Sequence, residues 1–358
     1  MRTILTILVL GLFSIVEAVP RFALMEDVTC SSCHSYQGGG GARNSYGKEY
    51  VSESLVMNAI QLPWSDPESE FPVQFGMDMR YQMVQRDSLR HFPMQFALYS
   101  GIELENIIAH VEISRLPDEY RLTGGIRYEG LPLDAWVFLG KELPTPGWRM
   151  DDHTLLIRGG NLTRIGLPYE GMPYSPYMVA PEMLELGFTA PLGLEFVFSA
   201  GSPFIDPFAD STNYFSMLKL AQSLYLGPLS ARYSTSYLIE GEISAWTVSY
   251  GVTLDQLTYL GEYVEYRDWI EGYGVTLASL NQLSYRVLPG IDALVRYEFF
   301  DLGRKYRTGA MTRWGTGVEF FPIPGIELKL GYQSNQLQFA DGTKTSQGQL
   351  LGQIHLYY

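Results

Sequence analysis

Cysteine is almost absent: the 358 residues contain only two. A framework of several disulfides is therefore excluded, and a chain of this length can build a core without one. Charge is scarce as well, with Asp, Glu, Lys and Arg making up 18% of the chain and mean hydropathy close to zero at −0.02. Long apolar runs are missing beyond the first residues, where nothing reaches the roughly 18 positions of a membrane-spanning helix. Basic residues are outnumbered, 25 Lys and Arg against 39 Asp and Glu, for a net charge of −14. That balance argues against nucleic acid as a partner and for a surface that attracts cations. What the chain has in quantity is tyrosine (25), phenylalanine (18) and glycine (36). This mixture suits a barrel with one lipid face and one polar face better than a soluble enzyme.

The N-terminus reads as an export signal. Arg2 supplies a positive start, Ile4 to Val16 is an apolar run too short to span a bilayer, and Val16-Glu17-Ala18 offers small residues for a signal peptidase. A membrane anchor is the competing reading, but the run stops at Glu17. Residues 1–18 are accordingly set apart from the fold.

Both cysteines fall in Cys30-Ser31-Ser32-Cys33-His34. This spacing allows two thioether bonds to the vinyl groups of one haem c, with the following histidine as the proximal iron ligand. A redox dithiol, a Cys30–Cys33 disulfide and half of a zinc site are the alternatives. A thioredoxin-like dithiol needs a βαβ context and a zinc ribbon needs a second CxxC; neither is present. One covalent haem c is the expectation. Only about 50 residues separate the signal from the first strand-like alternation, and Gly38 to Gly41 bury nothing, so another part of the chain is expected to help enclose the haem. The sixth ligand is open between Met57, at the end of the helix-like stretch Tyr46 to Ile60, and the less favoured Met25.

From Pro72 onward the period is two. In Val73 to Met83 the odd-numbered residues are apolar and the even ones polar or glycine. The pattern returns in Tyr120 to Tyr128, Ile291 to Phe299 and Ile326 to Leu330. A β-sandwich is the competing fold, with the charged face turned to water. The aromatic content, the signal and the alternating, aromatic C-terminus Gln353 to Tyr358 favour a transmembrane up-and-down barrel. Strands are expected near 72–84, 92–101, 104–115, 119–129, 133–141, 183–190, 193–200, 213–223, 228–238, 243–253, 257–266, 272–287, 290–301, 310–321, 325–334 and 347–357. That is about 16, an even number as such barrels require. Every second connection is tight, from Gly101 to Glu105 through Pro289-Gly290 to Ile323-Pro324-Gly325, and the others are longer or more polar. Short periplasmic turns and longer external loops follow. By parity Asp78, Glu112, Glu298, Glu319 and Glu327 face the lumen, and so do His110 and His355, two weaker candidates for the sixth ligand.

The longest connection, about Glu142 to Glu182, is the third external loop, and loops of this length are functional or disordered. Within it, Asp151-Asp152-His153 has donors suited to ferrous iron and is a speculative admission point for Fe(II), with a solvated turn as the bland alternative.

The signal, single CxxCH and barrel together resemble the fused outer-membrane monohaem cytochrome–porins, best known as iron oxidases. Phe22-Ala23 before the motif and Asn44-Ser45-Tyr46-Gly47-Lys48-Glu49-Tyr50 after it, with Met57 seven residues beyond Tyr50, look like the family's Asn-x-aromatic-Gly-x-x-aromatic segment and its methionine. The tetraglycine and Ser54-Leu55 depart from the family pattern. The resemblance covers about 40 N-terminal residues and extends to the barrel only in architecture. It implies Met57 as the distal ligand, a third loop folded into the lumen as in general porins, and a module at 19–71 lodged in a barrel at 72–358. It implies an electron conduit between an extracellular donor, Fe(II) above all, and a periplasmic electron-carrier cytochrome, with outer-membrane lipid around the barrel. On that view the chain is a possible Fe(II)-oxidising cytochrome. Two rivals remain: a porin-like transport channel in which the haem module is a plug, sensor or structural element, and a conduit that reduces external acceptors.

Overall fold

Alternation becomes a closed wall. In a computed structural model, the described residues are 20–26, 28–36, 41–60, 73–115, 120–148, 154–160, 179–205, 213–270, 272–304, 310–339 and 341–358. The signal and Asp151-Asp152-His153 lie outside them. Sixteen strands follow one another: β1 (Val73–Gln85), β2 (Leu89–Leu104), β3 (Ile107–Arg115), β4 (Tyr120–Leu131), β5 (Ala135–Lys141), β6 (Glu182–Ala190), β7 (Leu194–Gly201) and β8 (Phe215–Leu226). β9 (Leu229–Glu240), β10 (Ile243–Leu254), β11 (Leu257–Arg267), β12 (Val275–Leu288), β13 (Ile291–Asp301), β14 (Met311–Phe320), β15 (Ile326–Gln338) and β16 (Lys344–Tyr357) complete them. Each pairs antiparallel with the next, and β1 pairs with β16 in a register that sets Arg80 opposite His355. Closure removes every sheet edge, which excludes the sandwich.

Side chains alternate across the wall. In β1, Asp78 and Gln82 are buried while Phe75 is 62% exposed. Glu112, Glu298, Glu319 and Glu327 are buried on the inner face as parity requires, and Leu98, Leu122, Leu139, Leu218, Trp314 and Leu330 are exposed on the outer one. An unbroken apolar exterior around a closed barrel is a lipid-facing surface, since no soluble protein leaves so many large apolar side chains in water.

Some boundaries differ from expectation. β2 runs past Pro93 at one end and through Gly101 at the other, so the first tight turn is Glu105-Asn106 and not Gly101 to Glu105. Proline is tolerated because the β1–β2 register slips there: Arg80 opposes Gln95 and Tyr81 opposes Pro93, leaving Met94 unpaired in a bulge. Two connections on the long-loop side are short, Arg86–Ser88 and Gly241-Glu242, but both are polar.

The turns also fix a topology test. Gly342 and Gly227 have open space where a Cβ would stand, and both have positive φ. A tag inserted after Gly342 is expected to be labelled on intact cells, and one after Gly227 only after the outer membrane is permeabilised. The opposite pattern would show that the barrel is inserted the other way up. Pro289-Gly290 is unsuitable as the inner position, because the backbone of Met57 covers it at 2.5 Å from the ideal Cβ of Gly290.

Candidate functional site

The N-terminal segment plugs the tight-turn end of the lumen. Its elements are helix α1 (Pro20–Met25), a single 3₁₀ turn over Cys30–Ser32, and helix α2 (Ser45–Glu53). The turn gathers the motif: the amides of Cys33 and His34 both donate to the Cys30 carbonyl, at 3.2 and 3.0 Å. Both thiols and the imidazole thus leave one helical turn. His34 then pairs with Arg43 in an isolated antiparallel bridge.

Helix α2 is fastened to that turn by two residues. Asn44 caps it, its side-chain oxygen accepting from the Gly47 amide at 2.8 Å while its Nδ2 donates to the carbonyls of Ser31 and Ser32 at 3.3 and 3.0 Å. The Asn44 amide donates in turn to the Cys33 carbonyl. Gly47 is glycine for room: a Cβ there would stand 2.2 Å from the Cys33 carbonyl oxygen. Helix and motif backbone therefore touch directly.

The module is anchored to the wall from several sides. Arg21 pairs in the lumen with Asp292 on β13 and Glu319 on β14. Removing one partner of such a buried pair costs about 3–5 kcal/mol, so this contact fixes α1 firmly. Phe22 meets Phe321 edge-on, and together with Cys33, Tyr50, Val51, Leu55, Val56 and Tyr357 they form one apolar cluster. The Met57 amide donates to the Phe321 carbonyl at 2.8 Å, closing the segment onto the same side of the mouth that holds α1. On the opposite side Ser35 and Tyr36 reach β2, β3 and β5.

The third long loop joins from above, as the likeness to general porins implied. Its described residues Leu155, Leu156 and Ile157 are fully buried, the Leu156 amide donates to Glu298 at 2.5 Å, and Arg158 pairs with Glu262 at 2.9 Å. Loop residues and the N-terminal segment thus both enter the lumen.

These residues fit a covalent haem. Cys33 and His34 are buried at the seam between motif and α2, whereas Cys30 borders a small cavity whose wall includes Lys219 and Arg232. Burial, with Cys30 nearby, pushes the Cys33 thiol up to about 12.

The other candidates are placed unequally. Met57 belongs to the module and follows Val56 of the Cys33 cluster, but its side chain is 40% exposed. His110 lies beside the motif, its ring 6.0 Å from Tyr36 and stacked on Phe138, with Nε2 3.7 Å from Glu142. His355 lies between two carboxylates, its Nδ1 hydrogen-bonded to Glu327 at 2.7 Å and its Nε2 3.1 Å from Asp78. No group of three metal-binding side chains occurs among the described residues. Arg21, Lys219 and Arg232 were not singled out by sequence. For the last two the signal was available, since both are cations at inward parity on β8 and β9.

No family model and no curated protein matches the chain. Solved barrels resemble it closely in shape. OprB of Pseudomonas putida matches with a TM-score of 0.61 at 10% identity, covering 80% of this chain and 94% of that one. The anion-selective porin from Comamonas acidovorans matches at 0.53 and 11% identity, over 80% and 99% of the two chains. OmpF of Salmonella typhi matches at 0.52 and 8% identity, over 80% and 97%. At these identities the likeness is one of fold: the chain is a sixteen-stranded, porin-like β-barrel.

Proposed function

We propose that this barrel is an outer-membrane electron conduit built around one covalent haem c. Cys30 and Cys33 are the attachment sites, His34 the proximal ligand and Met57 the distal one. The observation that carries the reading is the clamp of Asn44 and Gly47 on the CxxCH backbone, set inside a barrel mouth. A bound haem supplies one-electron redox chemistry. The chain supplies the rest. The α1 anchor at Asp292 and Glu319 holds the module in place, and the buried loop residues limit water around it. An extracellular donor, Fe(II) by the resemblance, gives one electron per ion, and one periplasmic cytochrome haem is reduced for each.

The channel reading has its own support. The Comamonas protein is described as an anion-selective porin, which speaks more directly for passage of solutes than for electrons. Anion selectivity does not carry over simply, because the lumen here holds Asp78, Glu112, Glu298, Glu319 and Glu327. What favours the conduit is occupation of the lumen by α1, the motif and Leu155 to Ile157.

A spectroelectrochemical titration of the full-length protein, matured with the cytochrome c apparatus, separates the two. Under the conduit reading Fe(II) reduces the haem, proteoliposomes with Fe(II) outside reduce cytochrome c inside, and planar bilayers show conductance far below that of an open porin. Porin-like conductance with no reduction by Fe(II) or other external donors would leave the channel reading standing.

A further inference from the structure

Three glycines take inward positions side by side on β14 and β15. Gly315 and Gly317 stand at the parity of Arg313 and Glu319, Gly331 at that of Lys329 and Gln333, and Gly317 pairs with Gly331 across the strands. A Cβ on Gly315 would meet only ordinary contacts, the nearest at 3.6 Å, so no crowding requires glycine there. The bare wall leaves a recess in the lumen. Leu294, Arg296, Gln353 and Thr154 of the long loop help to line it, and Glu319 and Lys329 form its edge toward the tight turns.

Helix α1 meets that edge through Arg21, which sits between Asp292 and Glu319, 3.1 Å from the first. These two carboxylates stand directly opposite each other on β13 and β14, an arrangement that repels unless a cation separates them. Arg286 holds Asp292 at 2.9 Å and Lys329 holds Glu319 at 3.4 Å on the outer sides, so charge alternates through five residues with Arg21 as the middle link. The other end of α1 fits the wall by volume. Leu24 packs with Trp148 of the loop and Leu260 of β11, beside Gly251 on β10, where a Cβ would stand 2.3 Å from Leu24 Cδ1.

One short helix is thus matched to the wall at both ends, by charge at β13–β14 and by shape at β10–β11. A glycine-faced recess that ends on a helix seated in this way has the form of a closed pore, and barrels of this kind have polar lumens that inserted segments can plug. We infer that α1 is the closing element of a passage for small ions along β14 and β15, with Arg21 as its latch and Gly251 as the seat of Leu24. The passage admits small ions because it is narrow and its edge carries both signs of charge. This concerns the lumen alone and does not rest on the haem reading. The module carries the electrons of that reading, and ions pass it once α1 is displaced.

The test is single-channel recording in planar bilayers, in potassium chloride, on the full-length protein and on three variants: Arg21→Gln, Gly251→Phe, and a double variant carrying Arg21→Gln and Gly315→Phe. A heat-modifiable barrel band first shows that each is folded. Arg21→Gln removes the charge of the latch, whereas Gly251→Phe fills the seat of Leu24 and touches no charge. Each is expected to raise conductance several-fold above a low parent value. Gly315→Phe, which projects into the recess, is expected to bring the raised conductance of Arg21→Gln back toward the parent. Folded Arg21→Gln and Gly251→Phe barrels that conduct like the parent would overturn the inference, and so would a parent that already conducts like an open porin. A double variant as conductive as Arg21→Gln alone would overturn the route along β14 and β15. Gly251→Phe keeps the test decisive should Arg21→Gln fail to fold through repulsion between Asp292 and Glu319. Haem staining of the same samples bears only on the haem reading: an unstained parent with this conductance pattern leaves the gate in place.

Discussion

Cys33→Ser is expected to abolish or greatly weaken haem staining on a denaturing gel, where the parent, matured in the same cells, shows one covalent haem per chain. The expectation follows from the two cysteines being the only ones in the sequence and both lying in the motif. Without Cys33 only the Cys30 thioether can form, and a motif that offers one thiol instead of two is expected to capture less haem during maturation. The barrel itself should survive, because Cys33 sits in the plug and none of the sixteen strands contains it. Serine adds a hydroxyl to a cluster otherwise apolar on that side, at a cost of about 1–3 kcal/mol if it stays unsatisfied. A folded, heat-modifiable Cys33→Ser barrel without stain is the predicted pair of observations. Full staining in the variant would show that Cys33 is not needed for attachment, and no staining in the parent would remove the functional proposal altogether.

How much of this could be seen in the sequence depends on the range of the interactions. Period-two patterning is local, so the inward placement of Asp78, Glu112, Glu298, Glu319 and Glu327 and the strand number were readable from single segments. Turn chemistry was nearly as local. The end of β2 was misplaced because Gly101 resembles a turn residue. It is glycine within the strand, where Ser35 packs against it. Asn44 and Gly47 were visible as motif letters, but their work was not: capping α2 while gripping the Ser31 and Ser32 carbonyls is a property of the assembled turn. What could not be read at all were contacts across the chain. Arg21 meets Asp292 and Glu319 at separations of 271 and 298 residues, and no local pattern encodes which lumen carboxylate receives it. The same holds for Lys219 and Arg232 meeting Cys30 in one cavity.

Met57→Ala is expected to change the haem more than any other substitution that leaves the haem attached. In the parent, His/Met ligation gives the weak sulfur-to-iron band near the red edge of the oxidised spectrum. The variant should lose that band and titrate at a lower potential, because a thioether ligand favours the reduced iron. The structure sharpens the contest. His355 stands between Glu327 and Asp78 with its Nδ1 hydrogen-bonded to Glu327, so His355→Ala should leave the haem spectrum unaltered. His110 is the stronger rival, since its ring lies 6.0 Å from Tyr36, two residues beyond the proximal His34, and its Nε2 stands 3.7 Å from Glu142. Met57 answers with its place in the module: its amide is fixed to Phe321, and its side chain, 40% exposed, is not locked into the apolar cluster that holds Val56. A flexible thioether outside that packing is the more readily turned toward an iron on His34. Should Met57→Ala keep both the low-spin spectrum and the potential of the parent, Met57 is not the ligand. A spectral change in His110→Ala would then assign the sixth position to the barrel wall.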